Sequence, residues 1–165
     1  MPDQNQILLL TKLHRPRVPH DLVERVRLVQ QLNSGIEYPI TLVCAPTGYG
    51  KTTLVCTWLD RMTASQGGEA LSLPVTWLSL DEAESDLSLF IRYVIAAIRT
   101  IFADACEESL TLLQAKQQLP QTVIYTTLCN DLAQLPGEVV LVLDDYQFIH
   151  GKEVHNLLVE LARHW

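Results

Sequence analysis

The sequence has little positive charge. It contains 12 lysine and arginine residues against 19 aspartate and glutamate residues, and its formal net charge is −7 at pH 7. A protein that binds nucleic acid through its overall charge needs an excess of basic residues. The composition therefore argues against that class of protein, and we expect any DNA contact to be made elsewhere.

Long apolar runs are also missing. No apolar stretch approaches the length of a membrane span, and the polar N-terminus lacks the basic start of a signal peptide. We therefore expect a cytoplasmic chain with no membrane partner. The four cysteines, Cys44, Cys56, Cys106 and Cys129, include no C-x-x-C pair. We interpret them as small buried hydrophobic residues in a reducing compartment.

What is present is enough for one folded domain. The 165 residues, 48% of them hydrophobic, can build a single sizeable core. We expect an extended arm over residues 1–19, followed by one domain over residues 20–165. The arm is interrupted by prolines and carries Lys12, Arg15 and Arg17, which we expect to be solvated.

The most informative segment is a phosphate-binding loop. Its spacing is that of the pattern G-x-x-x-x-G-K-S/T, with alanine in place of the first glycine. Glycines within the loop permit positive φ angles, which let the backbone turn its N–H groups toward a polyphosphate. The predicted nucleotide-binding residues of this segment are Ala45, Pro46, Thr47, Gly48, Tyr49, Gly50, Lys51, Thr52 and Thr53.

Individual loop residues have distinct expected roles. Lys51 is expected to bridge the β- and γ-phosphates and to act in catalysis, and the Thr52 hydroxyl to coordinate Mg²⁺. Thr53 is expected near the α-phosphate, where the helix dipole favours negative charge. The flanking sequence supports this interpretation, because residues 40–45 predict a buried parallel strand and residues 54–62 are apolar at helical spacing.

A pair of acids follows another apolar run, residues 139–143. Ligands bind outside the carboxyl ends of the strands in an open α/β sheet, so Asp144 is expected to face the phosphate loop and hold Mg²⁺ through its water shell. Asp145 is the candidate general base for the attacking water. Taken alone, the segment would favour two acids beginning a polar loop. Together with the phosphate-binding loop upstream, the two acids are better interpreted as the second half of a nucleotide site.

The remaining pattern predicts an α/β fold. A first helix is predicted to begin at Asp21, with Glu24 completing a capping box and Val23 on its apolar side, and to end at residues 33–35. Further predicted elements are helices over 86–102, 107–118, 121–135 and 152–164, a strand over 74–80 and a flexible loop over 64–69. Strands flanked by helices in this order predict a three-layer sandwich with a parallel sheet, the P-loop NTPase type.

The motifs, taken in order, resemble one known family. They are Thr11-Lys12-Leu13, Arg15-Pro16, the loop 45–52, residues 77–82 (W-L-S-L-D-E), Phe90, Tyr93 and residues 144–146 (D-D-Y). The chain resembles the N-terminal ATPase module of the large ATP-dependent LuxR-type transcriptional regulators. These are the maltose-regulon activator group of the STAND ATPases, and the resemblance covers nearly the whole chain.

This resemblance implies a slow ATP switch. Members bind ATP or ADP with Mg²⁺ between this module and a following helical domain, and they self-associate in the ATP state of the full-length protein. A C-terminal helix-turn-helix then binds DNA. The resemblance also places Val23 and Arg25 at the base and ribose of the nucleotide, although an exposed helix arginine is an equal alternative for Arg25.

The family pattern continues beyond Trp165 with a sensor strand, a fifth strand and a helical lid. We therefore expect a fold that is incomplete at the C-terminus, DNA contact only through an absent domain, and very weak or no hydrolysis by this chain alone. In the family's sheet order the strand 40–45 is central. Without its neighbour it would be an open apolar edge that promotes self-association.

Two other functions stay open. A small P-loop phosphotransferase would need a substrate lid with paired arginines, and residues 104–135 contain no arginine. A degenerate module would hold nucleotide without turnover, and the intact Lys51, Thr52, Asp144 and Asp145 speak only against complete loss of the site.

Overall fold

The computed structural model describes residues 7–19, 23, 25–64, 73–115 and 119–164. They fall into two compact units, one formed by residues up to 14 and from 74 onward, the other by residues 15–73. The helices and strands are α1 (Val26–Gly35), α2 (Lys51–Ala64), β1 (Val75–Ser79), α3 (Leu87–Arg99), α4 (Glu107–Gln114), α5 (Gln121–Ala133), β2 (Val140–Asp144) and α6 (Lys152–His164). Short 3-10 turns occur at Leu10–Leu13, Glu82–Ser85 and Tyr146–Phe148. The division into an arm over 1–19 and a domain over 20–165 stays a prediction.

The sheet of the first unit is parallel. Strand β1 pairs with β2 so that Val75 lies opposite Val140 and Ser79 lies opposite Asp144. The Leu80 N–H donates to the Asp144 carbonyl at 3.0 Å, which extends the pairing by one residue beyond β1. The predicted α/β class with a parallel sheet is confirmed.

Helix α3 is the centre of this unit's core. It begins after Asp86, whose carboxylate accepts a hydrogen bond from the Leu89 N–H at 2.8 Å and so satisfies a donor at the helix N-terminus. Eight of its 13 residues are buried. The Thr76 hydroxyl of β1 donates to the Ala97 carbonyl at 2.7 Å, which joins the helix to the sheet. The predicted helix is confirmed, but it ends at Arg99 and not at residue 102.

The other helices of this unit form close to their predicted positions. Helix α5 ends at Ala133 and α6 spans Lys152–His164. Helix α4 ends at Gln114, because Ala115 is extended. Residues 116–118 of the helix predicted over 107–118 lie outside the described residues. The Tyr125 hydroxyl donates to the Glu153 carbonyl at 2.8 Å and joins α5 to α6. The predicted loop over 64–69 lies, from residue 65 onward, outside the described residues. None of the helices in the described ranges combines the length and the apolarity needed to cross a membrane.

The strand predicted over residues 40–45 is wrong. This segment pairs with no other strand among the described residues, and the side chains of Ile40 and Leu42 are 50% and 77% exposed. A strand needs a partner to satisfy its backbone groups and to bury its apolar side chains. Cys44 is exposed for the same reason, so the expectation of a buried cysteine is wrong there, whereas Cys56 and Cys106 are buried.

The first helix begins later than predicted. Helix α1 starts at Val26, and Val23 lies outside it with its side chain 90% exposed. Residues 21 and 24, the predicted capping pair, lie outside the described residues. Within the second unit, the Asn33 side chain accepts a hydrogen bond from the Trp58 indole at 2.8 Å. This contact joins the end of α1 to α2.

The expectation of a solvated arm is wrong for two of its three basic residues. Lys12 is only 13% exposed and contacts the carboxylates of Asp81 and Glu84. Arg15 donates to the Cys56 carbonyl at 2.9 Å and forms an ion pair with Asp60, which also lies on α2. Arg17 is exposed, as expected.

Candidate functional site

The loop before α2 has the backbone conformation that its glycines predict. Gly48 and Gly50 have φ angles of 84° and 75°, a region that residues with a Cβ atom rarely adopt. The Tyr49 N–H donates to the Pro46 carbonyl at 3.3 Å, and the Leu54 N–H donates to the Gly50 carbonyl at 2.9 Å. The loop therefore turns tightly and runs directly into the first turn of a helix, where the helix dipole favours an anion.

Lys51 is the first residue of α2, and its ammonium lies against the loop. The Nζ atom donates to the Ala45 carbonyl at 3.0 Å and to the Pro46 carbonyl at 3.4 Å. These two oxygens hold the positive charge beside the backbone that the sequence assigns to phosphate binding. Two neutral carbonyls do not neutralise an ammonium, so the charge stays available to an anion.

A cavity of about 270 Å³ lies beside the same loop. It brings together five of the predicted nucleotide contacts with three further residues, the full lining being Val23, Arg25, Val29, Gly48, Gly50, Thr53, Leu54 and Thr57. Its lining is largely apolar with a few polar groups. All of these residues belong to the second unit.

Arg25 precedes α1 and reaches the loop. Its Nη1 donates to the Tyr49 carbonyl at 2.8 Å, and a Cβ atom placed on Gly50 would lie 3.6 Å from its Nη2. The guanidinium is therefore next to the phosphate-binding loop, a different place from the base and ribose contact that the resemblance implies. The assignment of Arg25 and Val23 to nucleotide contact stays a prediction.

The remaining loop residues differ in exposure. Pro46, Thr47 and Tyr49 are exposed, whereas Thr52 and Thr53 are half-buried in the first turn of α2. Sequence reasoning missed Thr57 of the cavity lining. The signal was present, since Thr57 follows Thr53 by one helical turn and its hydroxyl donates to the Thr53 carbonyl at 2.9 Å.

The two predicted acids lie at the end of β2. Asp144 is its last residue, and Asp145 follows with φ 60° and ψ 30°. The Asp145 Oδ1 accepts a hydrogen bond from the Gln147 side-chain amide at 2.7 Å. The acids belong to the first unit and the phosphate-binding loop to the second. That Asp144 faces the loop and holds Mg²⁺ with Thr52, and that Asp145 acts as a base, stay predictions.

Within the part of the chain that the structure describes, the two acids belong to no dense cluster of metal ligands. Among the described residues, no group of three or more histidine, cysteine, aspartate or glutamate side chains is arranged to hold a metal ion. A Mg²⁺ ion bound with a nucleotide needs few protein ligands, because it keeps several waters and takes oxygens from the phosphates. A threonine hydroxyl and one carboxylate fit that requirement.

Comparison with known proteins identifies the family. A family model described as an AAA domain matches residues 17–157. The chain belongs to the AAA domain family. The match covers both the loop 45–52 and the acids 144–145, and the P-loop NTPase fold class predicted from the sequence is confirmed.

Relatives of this AAA domain are transcriptional regulators. The HTH-type transcriptional regulator MalT of Yersinia pestis (strain Pestoides F) is 34% identical over 158 residues, which is 96% of this chain and 16% of that protein. MalT of Cronobacter sakazakii (strain ATCC BAA-894) is 33% identical over 159 residues, again 96% of this chain and 16% of that protein. The resemblance to the maltose-regulon activator group is confirmed. The chain spans about a sixth of the length of these relatives.

Proposed function

We propose that the chain is an ATP- or ADP-binding switch module of an ATP-dependent transcriptional regulator, and that it binds its nucleotide with Mg²⁺. The observation that carries the proposal is the continuity of the loop and the cavity. Within one unit, two glycines at positive φ and Arg25 line a cavity of about 270 Å³, and the Lys51 ammonium lies against the backbone of the same loop. This arrangement supports binding of a polyphosphate joined to a flat, partly apolar group.

Each side chain has a separate task in this proposal. Lys51 supplies positive charge to the phosphates, and the N–H groups of the loop and of the first turn of α2 donate to them. Thr52 and Asp144 supply oxygens to Mg²⁺, which when bound offsets the charge of the phosphates. Asp145 orients or deprotonates water in a slow hydrolysis that belongs to the full-length protein.

The regulator context is also part of the proposal. The relatives are HTH-type regulators by name, so we place this module in a longer protein that self-associates in its ATP state and contacts DNA through another domain. A protein of this kind works in the cytoplasm. The net charge of −7 makes direct DNA binding by these residues unfavourable.

Titration of a fluorescent ATP or ADP analogue with the 165-residue chain tests the proposal. We expect Mg²⁺-dependent binding that Lys51→Ala weakens about ten- to hundredfold, because a charge-assisted contact to phosphate contributes about 1.5–3 kcal/mol. Lys152→Ala is the matched control, since Lys152 is also the first residue of a helix, α6, and is exposed. Equal affinity of the wild type and Lys51→Ala would remove the site assignment.

The two acids can be separated in the same assay. We expect Asp144→Ala to raise the Mg²⁺ concentration needed for binding. Asp145→Asn should leave binding nearly unchanged and reduce hydrolysis by the full-length protein. Rapid hydrolysis by the 165-residue chain alone would instead indicate an autonomous enzyme.

A further inference from the structure

Asp145 has a left-handed backbone conformation, with φ of 60° and ψ of 30°. Residues with a Cβ atom adopt this region infrequently, and aspartate is among those that adopt it most readily. Nearby, the Phe148 N–H donates to the Asp145 carbonyl at 3.1 Å. The Gln147 side-chain amide also donates to Asp145 Oδ1 at 2.7 Å. The contacts of the following segment add to these local hydrogen bonds.

The segment after Asp145, which we call the acid loop (residues 145–151), contacts the turn Glu82–Ser85 that follows β1. The His150 N–H donates to the Ser85 hydroxyl at 3.0 Å, and that hydroxyl lies 3.5 Å from the Phe148 carbonyl. The contact at Gly151 is closer still. A Cβ atom at Gly151 would lie 2.2 Å from the Ser85 carbonyl oxygen, so only glycine fits this position.

Two further contacts hold the middle of the acid loop. Ile149 is 4% exposed and belongs to the hydrophobic core. The Tyr146 hydroxyl forms a hydrogen bond with Nδ1 of His155 on α6. The loop that begins at Asp145 is therefore fixed at its start by α6, in its middle by the core, and at its end by Ser85.

The turn that receives the acid loop is itself anchored. Asp81 and Glu84 form a capping box, in which the Ala83 N–H donates to the Asp81 carboxylate and the Asp81 N–H donates to Glu84 Oε2 at 2.7 Å. Glu84 is 1% exposed, and its other oxygen accepts a hydrogen bond from the Lys12 ammonium at 2.6 Å. Lys12 thus places a counter-charge on the buried carboxylate of this turn.

We propose that Ser85 and Gly151 are positioning residues that hold Asp145 in its left-handed conformation, and that Lys12 supports the same turn through Glu84. The conformational part stands on the contacts above. Its functional consequence rests on the proposed nucleotide site, in which Asp144 and Asp145 serve the bound Mg²⁺-nucleotide. The N-terminal arm and the acid loop then form one connected structure within the first unit.

Amide hydrogen exchange of nucleotide-free protein tests the conformational part. We expect Ser85→Ala to speed exchange in residues 144–151 by about five- to thirtyfold, the factor that corresponds to losing one or two hydrogen bonds. Gly151→Ala should speed it at least as much, because its Cβ atom would clash with the Ser85 carbonyl. The backbone chemical shifts of Asp145 should move away from left-handed values. Exchange in α3 should stay unchanged, which shows that the fold is intact.

Matched variants separate this effect from general destabilisation. Gly137→Ala is the control for Gly151→Ala, because nothing lies within 4 Å of a Cβ atom at Gly137. Ser85→Thr keeps the hydroxyl and should restore slow exchange. If Gly151→Ala does not fold, the Ser85 variants decide the question. Unchanged exchange and unchanged Asp145 shifts in Ser85→Ala would overturn the proposal.

Nucleotide titration in Mg²⁺ and in EDTA tests the functional part. Asp144, the proposed Mg²⁺ ligand, directly precedes Asp145, so a change in the Asp145 backbone displaces it. The apparent affinity falls with the fraction of chains in the competent conformation, so Ser85→Ala should need about fivefold more Mg²⁺ while its affinity in EDTA is unchanged. If hydrogen exchange in Ser85→Ala is faster but nucleotide binding depends on Mg²⁺ as in the wild type, Ser85 has only a structural role and the positioning role is overturned. If the wild-type chain binds no nucleotide, the proposed function fails, and the exchange data alone decide whether Ser85 and Gly151 hold Asp145.

Discussion

The guanidinium of Arg25 donates to the carbonyl of Tyr49 at 2.8 Å. Arg25 precedes α1, and this hydrogen bond holds the backbone of the phosphate-binding loop, which precedes α2. Arg25 also adds a second positive charge to the loop. It contacts the carbonyl of Tyr49, whereas Lys51 contacts the carbonyls of Ala45 and Pro46. The loop conformation and its charge therefore depend on a residue that no phosphate-loop pattern includes.

We expect Arg25→Ala to lower nucleotide affinity about tenfold, because a hydrogen bond from a charged donor contributes about 1.5 kcal/mol or more. The matched control is Arg27→Ala. Arg27 is exposed on α1, where its guanidinium lies 3.5 Å from the Gln31 side chain. Fluorescent-nucleotide titration compares the two variants, and equal losses would show that the Arg25 contact has no specific role.

The exposure of residues 40–45 can be tested by substitution. Leu42 is 77% exposed and Leu59 is 1% exposed, and both belong to the second unit. We expect Leu42→Ala to change the free energy of unfolding by no more than about 0.5 kcal/mol, and Leu59→Ala to lower it by about 2–5 kcal/mol. Denaturant titration measures both. A large loss in Leu42→Ala would favour the buried strand that the sequence predicts.

The cysteines should differ sharply in reactivity. Burial, and then the charge of Asp131, raise the pKa of the Cys106 thiol to about 11 against the opposing effect of Arg99, whereas Cys44 is exposed. We expect iodoacetamide at pH 8 to modify Cys44 and leave Cys106 unmodified, since the thiolate is the reactive form. Mass spectrometry of the labelled peptides reads this out, and Cys44→Ser should remove the fast reaction.

The same thiol gives a pH dependence of stability. The folded chain holds the Cys106 proton more tightly than the unfolded chain, whose thiol titrates at 9.0. Its contribution to stability is therefore complete below pH 9.0 and is lost as the pH rises toward the folded-state value. Denaturation of Cys106→Ala at increasing pH should lack this decline.

Lys12 should be needed for stability. Removing one partner of a buried ion pair leaves the other charge unpaired, so we expect Lys12→Met to lower the free energy of unfolding by about 3 kcal/mol. Adding Glu84→Gln to this variant should recover part of the loss, because it removes the buried charge and keeps an acceptor for the Asp81 N–H. Arg17→Met is the control from the exposed part of the arm. An equal loss of unfolding free energy in Arg17→Met would show that the ion pair of Lys12 with Glu84 is not the cause.

The Lys12 ion pair should also respond to high pH. Burial alone lowers the pKa of Lys12, but its hydrogen bonds to Asp81 and Glu84 raise it overall above the ordinary 10.5. The contribution of the pair is therefore complete below pH 10.5 and is lost as the pH rises through the raised pKa. The difference between the wild type and Lys12→Met in denaturant titrations should shrink in that range.

The sequence predicts elements whose pattern is local. Helix α3 has apolar residues around most of its circumference and Asp86 as its N-cap, so its existence and its place in the core follow from residues close in the chain. The strands before Asp81 and Asp144 are short apolar runs that end in acids, and they pair as the parallel order predicts. The phosphate-binding loop has its positive φ angles at the two glycines that the motif requires.

The rest depends on contacts between distant residues. Residues 40–45 have a strand composition, but whether a strand forms depends on a partner elsewhere in the chain. The ion pair between Lys12 and Glu84 joins residues 72 positions apart, and nothing in either local sequence indicates it. The left-handed conformation of Asp145 likewise needs the Ser85 contact, which a pattern search along the chain does not detect.

The position of Lys12 has a practical consequence for defining the minimal folding unit. The AAA domain match begins at residue 17, after the last residue of the arm that packs with the first unit. A recombinant fragment trimmed to that family boundary would lose Lys12 and leave the Glu84 carboxylate, 1% exposed, without its counter-ion. Homology limits are therefore a poor guide for expression of this domain, and residues 8–13 should be retained.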